Sequence, residues 1–68
     1  MTEAEEQALR IKLAELVQEH RDLDAAIHMM QHAANTDLLQ IARLKKRKLH
    51  LKDLIARLEN ELLPDIIA

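Results

Sequence analysis

Along the first half of the chain, Leu9, Leu13, Leu16, His20, Leu23, Ile27, Met30 and Ala34 follow one another in alternating steps of four and three. His20 is the single polar member. A period of 3.5 residues is the seam of a heptad-patterned helix. Thr2 stands three residues before Glu5, a capping-box spacing. Glu3, Glu5 and Glu6 suit the positive end of a helix dipole. The pattern predicts a first helix over about 3–33, ~45 Å long at roughly 1.5 Å per residue. Asn35-Thr36-Asp37 is the turn signal before Pro64. Asn35 in a left-handed conformation would end the first helix, and Thr36 or Asp37 would cap the next. A second seam, Ile41, Leu44, Lys48, Leu51, Ile55, Leu58 and Leu62, predicts a helix over about 37–62 after a turn over about 34–36. Pro64 disfavours a helical residue before it, leaving 63–68 as a short tail.

So short a connection forces the helices antiparallel. The expected fold is therefore all-α: one antiparallel two-helix hairpin, coiled-coil-like, occupying residues 1–68. Pairing positions whose numbers add to 71 gives the layers Leu9–Leu62, Leu13–Leu58, Leu16–Ile55, His20–Leu51, Leu23–Lys48, Ile27–Leu44 and Met30–Ile41. The same register sets Arg10 by Glu59, Lys12 by Glu61 and Asp24 by Lys45, all of opposite charge. His20 and Lys48 intrude on neighbouring layers, with Glu19 or Asp24 in reach of the Lys48 ammonium. Polar seam residues of this kind fix register at a cost in stability, so His20, Asp24 and Lys48 are read as the register-setting group.

These polar residues carry a resemblance. Glu19-His20-x-x-Leu23-Asp24-x-x-Ile27, followed by Leu44-Lys45-Lys46-x-Lys48-Leu49-x-Leu51-Lys52-Asp53, resembles the YdcH-like family of small bacterial proteins, a domain of unknown function. The resemblance spans roughly residues 9–58. It implies a bacterial, cytosolic helical hairpin and no particular activity.

Composition narrows the chemistry. The 68 residues include no Gly, Cys or aromatic side chain and one Pro. That excludes disulfides, thiolate zinc sites and a cysteine nucleophile, and it argues against glycine-rich phosphate loops. There is no Ser, and Thr2 and Thr36 read as caps. Asp24, His28 and His32 share a helix face, but the outer two lie ~12 Å apart at roughly 1.5 Å per residue. No catalytic residue, cofactor or metal site is expected, and the chain is read as no enzyme.

Charge is segregated. Residues 1–24 carry seven acids and three bases, whereas Arg43, Lys45, Lys46, Arg47, Lys48 and Lys52 form a block without an acid. With Lys45 turned to Asp24 and Lys48 in the seam, Arg43, Lys46, Arg47 and His50 are left on the outer face as candidate phosphate contacts. No aromatic is present to stack on bases. The acidic start and the lack of any apolar run near the ~20 residues of a membrane span lead to an expected cytoplasmic location without membrane insertion.

Apolar residues outside the seam point to assembly. Val17, Leu38, Ala42, Leu49, Ala56 and Leu63 fall at heptad positions e and b on one side of the hairpin, beside Ala14. Ile11, Leu39, Leu54 and Met29 are assigned elsewhere on the surface. A chain this short rarely draws more than about 3–5 kcal/mol from one core. A homo-oligomer is expected, a dimer or tetramer, with two hairpins forming a four-helix bundle. The expected function is a non-enzymatic helical interaction or oligomerisation module, open to an unidentified protein partner. The alternative is a small nucleic-acid-associated protein using the basic face.

Overall fold

A computed structural model describes residues 1–62, which form two helices packed against each other as a hairpin. Helix α1 is Glu3–Gln31 and helix α2 is Leu38–Leu62. Their start signals act as the sequence indicates. The Thr2 hydroxyl accepts from the Glu5 backbone N–H at 3.1 Å, and the Glu5 carboxylate accepts from the Thr2 backbone N–H, completing the capping box. At α2 it is Asp37, rather than Thr36, that caps: its carboxylate accepts the Gln40 N–H at 3.0 Å.

The turn differs from expectation. Helix α1 stops at Gln31, and residues 32–37 make the connection. None of the described residues has a positive φ, so Asn35 does not supply a left-handed stop. Thr36 takes over that task. Its hydroxyl donates to the Met30 carbonyl at 3.0 Å and to the Ala33 carbonyl at 2.8 Å, so carbonyls left open at the helix end find a donor. The N–H groups of His32 and Ala33 tighten onto Met29 and Met30, and the His32 ring donates from Nδ1 to the His28 carbonyl. Ala34 consequently leaves the seam and is exposed.

Burial follows the two heptad series. Leu16, Ile27, Ile41 and Leu51 are each 4–6% exposed. Leu9, Leu13, Leu23, Met30, Leu44, Ile55, Leu58 and Leu62 are half-buried along the same line. Leu54 is half-buried as well, and so adds less outer apolar surface than its position implied. The result is a rod of 50 × 25 × 16 Å with one seam between two helices.

Candidate interaction face

The polar group at the middle of the seam assembles from both helices. Lys48 is half-buried, its stem in the seam, and its ammonium donates to the Asp24 carboxylate. That hydrogen bond, followed by the Lys48 charge, holds the Asp24 carboxyl below the ordinary carboxylate range. Arg47 reaches across to Glu19 on the other side. His20 is half-buried and lines a groove with Lys48, Lys52, Ile55 and Glu59. Its Nε2 is buried without a hydrogen-bond partner. The arrangement joins two side chains from each helix as ion pairs, which suits register selection.

Of these residues Glu19, His20, Asp24, Lys48 and Lys52 belong to the two motif halves, and a family model spans them. The model, described as a protein of unknown function (DUF465), matches residues 13–59. The chain belongs to the DUF465 family. This is the YdcH-like family that the two motif halves resemble. No curated protein and no solved structure matches the chain.

Within the DUF465 hairpin, partner choice departs from the predicted flanking pairs. Asp24 is engaged by Lys48 instead of Lys45. Arg10 pairs at 2.8 Å with Glu6, one turn back on its own helix, instead of Glu59. Among the described residues no ion pair joins Lys12 to Glu61. Arg47, expected on the outer face, is committed to Glu19. Arg43, Lys46 and His50 do lie exposed.

The e/b side of the DUF465 hairpin is concave and partly apolar. One open groove of 760 Å³ near the turn is lined by Ile27, Met29 and Leu49 together with the polar Arg21, His28, Gln31, Lys45 and the Asp24–Lys48 pair. A second, of 570 Å³, continues from Lys48 and Leu49 toward Ile55 and Ala56. Leu38 and Leu49 are 77% and 68% exposed, Ala42 and Ala56 are exposed, and Val17 is half-buried. Leu63 lies outside the described residues. Met29, assigned elsewhere by its heptad position, joins this groove and is 74% exposed.

Charge divides along the rod. Residues 21–52, the turn half, carry seven Lys and Arg against three acids, a net +4. Residues 1–20 with 53–62, the open half, carry eight acids against three bases, a net −5. Among the described residues no three His, Asp or Glu gather as a metal site, and no helix is long and apolar enough to cross a membrane.

Proposed function

We propose that this DUF465 chain is a non-catalytic helical interaction module that associates with a second copy of itself through the e/b face. The observation that carries the reading is the exposure of Leu38, Met29 and Leu49 on the side where the grooves run. Among the described residues only Leu16, Ile27, Ile41 and Leu51 are buried, so the seam leaves Ile11, Met29, Leu38, Leu39 and Leu49 exposed. Apolar strips of this kind mark interfaces. A second copy suits the strip because the rod carries both signs of charge and can complement itself. The grooves are open to solvent, unlike enclosed substrate sites.

Association at roughly 25 cal/mol per Å² of apolar surface must offset an entropic cost of several kcal/mol. The assembly is therefore reversible, and the melting temperature rises with protein concentration. Leu49→Glu abolishes that rise, since it places a carboxylate in the strip without touching the intrachain seam. Sedimentation equilibrium showing a folded monomer at every accessible concentration would defeat the proposal. Nucleic-acid association through Arg43, Lys46 and His50 is the second reading, favoured by their exposure. It ranks lower because Arg47 and Lys48 are already held by α1 carboxylates. Salt-dependent retention on immobilised DNA or RNA, lost on charge reversal at Arg43 and Lys46, is its test.

A further inference from the structure

We infer that His28 and His32 form a chelating site, at the C-terminal end of α1, for a borderline divalent cation of the Zn²⁺ and Cu²⁺ class. The inference is independent of the self-association proposed above, because both histidines belong to one chain. Residues four apart on a helix share a face, one turn above the other. Here the two rings approach to 4.4 Å between centroids and are tilted by 45° rather than stacked flat. Two imidazoles bound side by side on one tetragonal ion, with metal–nitrogen bonds of about 2.0–2.1 Å, stand roughly 4.5 Å apart by the same measure. The pair already has the spacing of a chelate.

The hydrogen bonding of His32 is a second, separate observation. Its Nδ1 lies 2.8 Å from the His28 carbonyl oxygen, which can only accept, so Nδ1 carries the proton. Nε2 is then the nitrogen with the free lone pair. A ligating histidine ordinarily gives its other ring N–H to a carbonyl or carboxylate, which fixes the tautomer and the ring orientation. His32 is also the C-cap of α1, and its backbone N–H bonds the Met29 and Met30 carbonyls, so the backbone carrying the ring is itself anchored. Both histidines are exposed and accessible to an ion from solvent.

Electrostatics decides which kind of ion fits. The negative end of the helix dipole favours a cation, but Arg21, Lys45 and Lys48 line a groove with His28 and oppose one. Asp24, one turn before His28, has its carboxylate engaged by Lys48 and is not a third ligand. Two nitrogens and an engaged carboxylate do not suit Mg²⁺ or Ca²⁺, which take oxygen ligands. Imidazole lone pairs suit Cu²⁺, Ni²⁺ and Zn²⁺, with Cu²⁺ held most tightly. Water fills the remaining coordination positions. An ion joining residue 28 to residue 32 spans the last turn of α1, where helix ends fray. It therefore staples a short chain that has no disulfide.

Calorimetric titration of the full chain with CuCl₂, NiCl₂, ZnCl₂ and MgCl₂, in a buffer that does not chelate, tests the site. Zn²⁺ is expected to bind and to raise the melting temperature, Cu²⁺ to bind more tightly, and Mg²⁺ to do neither. Two linked ligands gain orders of magnitude over one, so His28→Gln and His32→Gln should each weaken Zn²⁺ binding at least ~10-fold. Circular dichroism checks that both variants keep their helix. His50→Gln, at an exposed imidazole on α2, should bind as the unaltered chain does. Nitrogen-edited NMR should show Zn²⁺ shifting His32 Nε2 while Nδ1 keeps its proton. Unchanged affinity in either α1 variant, an equal loss in His50→Gln, or Mg²⁺ binding as tightly as Zn²⁺ overturns the site. A chain that is monomeric at every concentration and still binds Zn²⁺ through the pair upholds the site while refuting self-association.

Discussion

Truncating Leu51 to alanine probes the seam most directly, because Leu51 is 4% exposed and sits near the middle of α2. The change removes three carbons. At about 0.8 kcal/mol per buried group, transfer accounts for ~2.4 kcal/mol. A cavity term raises such losses to ~5 kcal/mol in closed cores. A seam between only two helices has solvent on both flanks and collapses readily, so ~2.5–3.5 kcal/mol is expected. That is large against the ~3–10 kcal/mol that a chain of this size holds. Leu39→Ala is the matched control: the same chemistry at a residue 61% exposed, expected to cost under ~0.5 kcal/mol. The sequence has no Trp or Tyr, so urea unfolding is followed by helical circular dichroism. Protein concentration is held fixed because unfolding is coupled to association. Equal losses at Leu51 and Leu39, or a Leu51 loss below ~1 kcal/mol, would refute the assignment of the seam.

What the sequence made legible was the periodic part. Steps of three and four place Leu16, Ile27, Ile41 and Leu51 inside because an α-helix returns to the same face at that interval, whatever the rest of the chain does. The Thr2–Glu5 box is equally local and forms where its spacing indicates. Long charged side chains are another matter. Lys45 and Lys48 line the same groove as Asp24, and only Lys48 pairs with it; residue type alone does not choose between them. Arg10 likewise takes Glu6 on its own helix, where one turn of backbone already holds the pair together.

The turn and the groove were hidden for a different reason. Thr36 reads as a cap for the helix that follows, yet its hydroxyl serves the Met30 carbonyl of the helix that precedes and the Ala33 carbonyl of the connection. Only the path of the reversing chain brings them together. Met29 falls at a c position, one step outside the e/b strip, but a groove between two helices spans several heptad positions and takes it in beside Leu49. The unpartnered His20 Nε2 also had no sequence signal, since a histidine at a seam position is as readily paired as orphaned.

Three further perturbations test the polar group. The lowered Asp24 carboxyl contributes stability that is present above the ordinary carboxylate range and lost as pH falls through the still lower folded value. Acid titration of the melting temperature should thus show a small loss below about pH 4, reduced in Asp24→Asn; an unchanged acid profile in that variant would show that the Lys48 pair adds nothing. His20→Leu removes the buried nitrogen that lacks a partner and should raise stability by ~1–2 kcal/mol in urea unfolding, whereas a loss would reveal a partner for that ring, such as a group from the second copy. Lys48→Leu sets the two roles of Lys48 against each other. Its stem fills the seam between apolar layers, while its ammonium meets an exposed carboxylate that water largely screens. Leucine extends the apolar seam and gives up only the screened pair, so the melting temperature should rise. If the ammonium serves to hold register, that rise is accompanied by a broader unfolding transition or a changed oligomer in sedimentation. A fall in melting temperature would mean that the Asp24 pair outweighs the apolar gain, making the Lys48 contact a source of stability rather than of specificity.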